Sequence, residues 1–189
     1  DSQLSPSEEN TIVAPGWGFE QDAATTTKNT IKFENVSAQD IESTPIYQIV
    51  ISSEDPQAGE RKKQLVQSIG VVDAFAGKVV TFSFEAQSKG TGAVPLSLDI
   101  YKNYGSNGSL PETINVSSFN IDTVEKKFTV SYTIPETVGK KIGEYNVLFL
   151  VFSLPLNQSF SIGITNIMMI EGVSTDPIYP DEPEFITAA

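Results

Sequence analysis

The sequence predicts an all-β fold, an antiparallel β-sandwich. Apolar and polar residues alternate with period two in segment after segment, the signature of strands with one face buried. Glycine- and proline-bearing turns separate these segments, and no strand–helix alternation of the βαβ kind interrupts them. With 189 residues, 39% hydrophobic and 19% charged, the chain has a globular composition and the length of one domain with tails.

Asp1 to Asn10 (DSQLSPSEEN) is polar and aperiodic and reads as a linker or arm. The sandwich is expected over residues 11–174. Thr30 to Val36 (TIKFENV) sets Ile31, Phe33 and Asn35 against Lys32 and Glu34, and Ile46 to Ser52 (IYQIVIS) is rich in β-branched and aromatic residues. Gln64 to Val71 alternates more weakly. Val79 to Gln87 places Val80, Phe82, Phe84 and Ala86 on one face; Pro95 to Tyr101 does the same with Leu96, Leu98 and Ile100. Lys127 to Ile134 sets Phe128, Val130, Tyr132 and Ile134 inward. Tyr145 to Leu154 is apolar on both faces, as a covered central strand would be. Ser159 to Ile170 sets Phe160, Ile162, Ile164, Asn166 and Met168 against Ser161, Gly163 and Thr165. Helix is confined to a turn or two within Glu60–Gln67 or Val72–Ala76. Residues 175–189 form a proline-rich acidic tail expected to be extended.

The net charge of −12 sets this surface against phosphate backbones, so nucleic acid is not an expected partner. No apolar run approaches the ~18 residues that span a bilayer, so membrane insertion is not expected either. The sequence contains neither cysteine nor histidine. That removes disulfides, thiol nucleophiles, the Ser-His-Asp triad and the usual zinc, copper and haem ligands. The chain opens on Asp1 with no signal-peptide pattern, the expectation for a piece processed from something longer.

Two stretches offer ligand-binding chemistry. In Tyr101 to Pro111 (YKNYGSNGSLP), no Lys-Ser/Thr closes the glycine turn and no helix follows, which sets aside a phosphate loop. Tyr101 and Tyr104 offer flat faces to a sugar ring, and Asn103 and Asn107 offer amides to its hydroxyls. The same residues also read as a structural turn, with Gly105 and Gly108 supplying positive φ. Trp17, the only tryptophan, sits between glycines in PGWGF, either as a stacking platform or as a cap on the core. Glu85 and Asp99 share the non-core face of neighbouring strand segments, a geometry a glycosidase pair would need, although exposed acids are common on so acidic a chain.

The order of motifs resembles a jelly-roll domain, akin to carbohydrate-binding modules, of bacteriophage tail-fibre and tail-spike proteins. Val72 to Gln87 (VDAFAGKVVTFSFEAQ), Tyr101 to Ser109, Phe128 to Pro135 (FTVSYTIP) and Thr165 to Gly172 (TNIMMIEG) carry the resemblance, which covers Thr30 to Pro183. It implies a β-sandwich of jelly-roll type in a virion or other extracellular setting. It also implies no enzymatic activity, assembly with copies of itself (as a homotrimer) and with other virion proteins, and host attachment through a cell-surface glycan. Glu85 stands where the family often has an aromatic residue, and Asn107-Gly108 where it usually has two glycines. GWGFEQ also resembles the opening strand of some carbohydrate-binding modules, in which a glutamate binds a structural calcium. The resemblance points to Glu20, with Asn166 in the place of an aspartate partner; otherwise no cofactor is expected. The alternatives are a carbohydrate-binding module of a secreted polysaccharide-degrading enzyme, or a ligand-free capsid or decoration protein.

Overall fold

The computed structural model describes residues 10–14, 16–22, 28–35, 47–56 and 58–175. Eleven strands form among them: β1 (Asn10–Ala14), β2 (Trp17–Gln21), β3 (Lys28–Asn35), β4 (Tyr47–Glu54), β5 (Lys63–Gly70), β6 (Val79–Ser88), β7 (Val94–Asn103), β8 (Glu112–Ile121), β9 (Lys126–Thr133), β10 (Val147–Ser153) and β11 (Phe160–Glu171). They pair antiparallel in two sheets, one in the order β1-β2-β5-β10-β7-β8 and the other in the order β3-β4-β11-β6-β9. This is an antiparallel β-sandwich of jelly-roll type. Among the described residues no helix is long and apolar enough to cross a membrane. The N-terminal arm over residues 1–9 and the tail beyond 175 lie outside the described residues.

The core forms where the inward faces meet. From the five-stranded sheet come Ile31, Ile49, Ile51, Val80, Phe82, Phe84, Ile162 and Ile164; from the six-stranded sheet come Phe19, Leu65, Leu96, Leu98, Ile100, Leu148, Leu150 and Phe152. Phe84 touches three rings: Phe152 edge-on at 5.1 Å, Phe119 edge-on at 5.2 Å and Phe128 stacked at 5.2 Å. Edge-to-face and offset pairs at these separations add to the stabilisation that burial alone provides.

Three strands go beyond the eight that the alternation announces. β1 and β2 form a hairpin at one edge of the six-stranded sheet. β8 runs through ETINVSSFNI, where a bulge opposite Leu98 and Asp99 splits the apolar residues into Ile114 and Val116, then Phe119 and Ile121. One inserted residue switches the face of everything after it, and the period of two disappears from the sequence. Another irregularity corrects the reading of β11. Asn166 takes φ 50°, the pairing with β6 shifts between Thr165 and Met168, and Ile167 and Met169, rather than Met168, pack against the core. The segment Glu60–Gln67 is not helical; it enters β5, while residues 71–77 form successive tight turns.

Both ends of the sandwich hold a buried lysine. Lys63, 1% exposed, donates to Ser53 Oγ at 2.9 Å and to Glu60 Oε2 at 3.0 Å, and lies 5.4 Å from the centre of the Phe160 ring. Burial pushes its pKa down, against the opposing pull of Glu60. Lys102, fully buried at the other end, donates to the Pro135 carbonyl; burial lowers its pKa too, with Glu112 opposing.

Phe84→Ala should destabilise the protein by about 3–5 kcal/mol, because it opens a cavity in the ring cluster. Tyr145→Ala, which removes a ring 87% exposed, should change stability by no more than about 0.5 kcal/mol. Urea or guanidinium unfolding midpoints of the two variants measure the contrast.

Candidate functional site

Alternation that sends Leu148, Leu150 and Phe152 inward sends Phe149 and Val151 out, and the registers of β10 align them with residues of β5 and β7. Phe149 stands opposite Tyr101, and Tyr101 opposite Thr113. One row along, Val66, Val151, Asp99 and Asn115 follow one another across four strands. Beyond them come Glu20, Gln64, Ser153 and Ser97. Gly18, paired with Val66, leaves that row open at its β2 end.

These rows enclose a cleft of about 370 Å³ on the outer face of the six-stranded sheet, lined by Glu20, Lys62, Gln64, Val66, Tyr101, Asn103, Thr113, Phe149 and Val151. The half-buried Tyr101 and Phe149 rings lie 6.2 Å apart and tilt by 37°. They form an apolar strip with Val66 and Val151, and polar groups surround it. Lys62 Nζ pairs with Glu20 Oε2 at 2.5 Å at one end. Along the neighbouring edge, the carboxylate of Asp99 is clamped: Oδ1 accepts from Ser97 Oγ at 2.9 Å and Asn115 Nδ2 at 2.8 Å, and Oδ2 accepts from Ser153 Oγ at 2.7 Å. Gln64 Nε2 donates to Ser153 Oγ at 3.2 Å. Apolar rings with a few fixed polar groups around them are the chemistry of a small-molecule site, and a sugar presents both matching faces.

Of the residues expected from sequence, Tyr101 and Asn103 line this cleft. Tyr104 is 0% exposed and Trp17 8% exposed, so neither offers a flat face to solvent. Trp17 packs 6.0 Å from Phe152 in the core. Asn107 is exposed in a left-handed turn position, φ 60°, away from the cleft lining. The Tyr101–Ser109 stretch thus divides its residues by alternation: Tyr101 and Asn103 outward, Lys102 and Tyr104 inward. Its turn locks against residues 141–144, through Ser106 N to Glu144 O at 2.8 Å, Ser109 N to Lys141 O at 2.8 Å and Gly143 N to Tyr104 O at 2.7 Å. A Cβ on Gly105, Gly108 or Gly143 would collide with a backbone carbonyl, so the three glycines are there for close approach. Phe149 carries no mark in the sequence, because it sits in a run that is apolar on both faces.

Glu20 and Asn166 do not come together. Glu20 belongs to the six-stranded sheet and pairs with Lys62; Asn166 belongs to the other sheet and donates to Glu85 Oε2 at 2.9 Å. A hard cation needs several oxygens converging on one point, and these two residues do not fit one; among the described residues no cluster of three or more acidic groups does either. Glu85 and Asp99 are likewise separated, on opposite outer faces of the sandwich, because β6 and β7 belong to different sheets.

Behind the Tyr101 end of the cleft, Tyr104 OH donates to Glu112 Oε1, which also meets Lys140 Nζ at 3.2 Å. Burial, then the Glu112 carboxylate, pushes the Tyr104 phenol well up; the Tyr104 hydrogen bond, then Lys140, holds the Glu112 carboxyl below its ordinary value against burial.

No family model matches the sequence, and no curated protein sequence does. Solved structures do. A family 11 carbohydrate-binding module of Clostridium thermocellum, solved with a β-1,3-1,4-mixed-linked tetrasaccharide, aligns over 86% of this chain and 94% of its own, with TM-score 0.55 and 18% identity. A family 4 carbohydrate-binding module aligns over 74% and 78%, with TM-score 0.50 and 18% identity. The enzymatically active domain of tailspike protein 4 from bacteriophage CBA120 aligns over 82% of this chain, with TM-score 0.51 and 16% identity; the chain spans 19% of that structure. At such identities the shared property is the fold, the jelly-roll sandwich.

Because Glu112 has a lower pKa folded than unfolded, the unfolded chain takes up its proton first as pH falls. The stabilisation is complete above the ordinary value of 4.5 and is lost as pH drops through the folded one. Glu112→Gln should therefore lose less of its urea midpoint than the native protein between about pH 6 and pH 3, when both are titrated in parallel.

Proposed function

We propose that this chain is a non-catalytic glycan-binding module whose site is the outer-face cleft of the six-stranded sheet. The observation that carries the reading is the Tyr101–Phe149 strip, bounded by Glu20–Lys62, Gln64, Asn103 and Thr113. Aromatic faces take the C–H side of a pyranose, and the surrounding amides, hydroxyl and ion pair take its hydroxyls. The acids at this face support binding rather than hydrolysis. Asp99 has both oxygens occupied, and Glu20 lies three strands from Asp99, about 14 Å at ordinary strand spacing. Glycosidase pairs stand roughly 5–9.5 Å apart. The structural likeness to modules that bind oligosaccharides supports the same reading.

Such a module works as part of a larger extracellular protein. The tailspike likeness favours a virion appendage, with self-assembly and host-surface attachment, and the likeness to modules of polysaccharide-degrading systems favours attachment to a secreted enzyme. Light scattering on the purified chain separates the two: a trimer supports the appendage, and a monomer supports the enzyme-borne module.

Titration calorimetry with a mixed-linkage β-glucan tetrasaccharide, xylohexaose and a wider glycan panel tests the site. Tyr101→Ala and Phe149→Ala should each weaken binding roughly 10-fold or more, the loss of a stacked ring of about 1.5 kcal/mol, while Asn107→Ala leaves it unchanged. A panel on which nothing binds, or on which both ring variants bind like the native chain, overturns the proposal.

A further inference from the structure

A second cleft, of about 590 Å³, opens where strands of the other sheet end. Its floor is the end of β4 and the start of β11, where Ser52 and Ser161 share a hydrogen bond at 2.7 Å. Its wall is the β6–β7 connection, residues 90–93 (GTGA). That connection is fastened at two points: Lys89 N donates to Ser161 O at 2.8 Å, and Ser88 Oγ donates to Gly92 O at 2.5 Å. The walls are thus tied to the sheet, and the cleft is pre-formed, which lowers the ordering cost of binding.

The lining mixes polar and apolar groups. Ser52, Thr91 and Ser159 bring hydroxyls, Glu54 brings a carboxylate, and half-buried Phe160 with Ala93 and Val94 brings an apolar flank. Lys63 stiffens this corner from behind: its buried ammonium donates to Ser53 Oγ and lies against the Phe160 ring. Ser53 itself is 1% exposed, so its hydroxyl anchors Lys63 behind the cleft rather than facing a ligand. Among the described residues no lysine or arginine lines the cleft, and Glu54 repels anions at its rim.

We propose that this strand-end cleft is a second binding site, for a neutral saccharide unit. Hydroxyls that both donate and accept, one carboxylate acceptor and a single apolar flank match a polyhydroxylated ring and disfavour uronates and phosphates. The site shares no residue with the sheet-face cleft, so it stands whether or not that face binds sugar. A polymer chain long enough to reach both clefts would gain avidity from the second contact.

The test is nitrogen-15 NMR of the full chain, titrated with glucose, galactose, mannose, xylohexaose and the mixed-linkage tetrasaccharide, with glucuronate as the anionic control. Saturable shifts of the Gly90, Thr91, Gly92 and Ser159 amides are expected with a neutral sugar, and they should persist in Phe149→Ala. Ala93→Trp, at an exposed lining position, should abolish them while other resonances stay in place; Glu54→Gln should weaken binding roughly tenfold or more, one hydrogen bond to a charged group. Silence of these amides with every neutral sugar overturns the proposal, even if Tyr101 and Phe149 respond. Loss of their shifts in Phe149→Ala, or glucuronate binding as well as glucose does, overturns it too.

Discussion

Phe84 ties the molecule together. Its ring reaches from the five-stranded sheet to Phe152 and Phe119 in the six-stranded sheet, and Phe128 stacks on it from the neighbouring strand. Strands have a period of two, so fixing Phe152 on the inside leaves no freedom about Val151 and Phe149: both must face out. The same holds for β7, where Leu98 and Ile100 inside require Asp99 and Tyr101 outside. The outer-face cleft is therefore the reverse side of the core packing. Its rings are held in place by residues that never touch a ligand.

Much of this was legible beforehand, for a physical reason. Where a strand has one dry and one wet face, the residues record it, as in Val80, Phe82, Phe84 and Ala86, and most of the eight strands read from the sequence were found that way. Where the ladder is irregular the record fails. The bulge in β8 breaks its alternation, and the left-handed Asn166 hands the core position from Met168 to Met169. β2 was legible only as a fragment, because it is short and its Gly18 carries no side chain to alternate.

The site was half legible. Tyr101 and Asn103 could be named because their strand leaves a polar face; Tyr104 could not be told from them, since its burial depends on Glu112 and Lys140, which belong to other segments. Trp17 shows the limit of composition as a guide: a lone indole between glycines reads either as a stacking platform or as a core cap, and only the fold, which lays it on Phe152, decides for the cap. Phe149 was hidden for the opposite reason, since β10 is apolar on both faces and only the pairing with Tyr101 distinguishes its outer residue from its inner ones. Sheet order, too, was beyond sequence: β6 and β7 are consecutive but lie in different sheets, which parts Glu85 from Asp99.

The two loops joined by Gly105, Gly108 and Gly143 press backbone against backbone, with the Ser109 hydroxyl accepting from Lys141 N beside them. Their shape is thus written largely in main-chain atoms, while Leu110, Val138 and Tyr145 project from them almost fully exposed. Variation is divided accordingly. The glycines and the loop lengths tolerate no change, whereas the projecting side chains can be exchanged without disturbing the frame that presents them. This end of the sandwich is a rigid mount on which new recognition surfaces, selected from a library or drifting in evolution, can be tried one residue at a time.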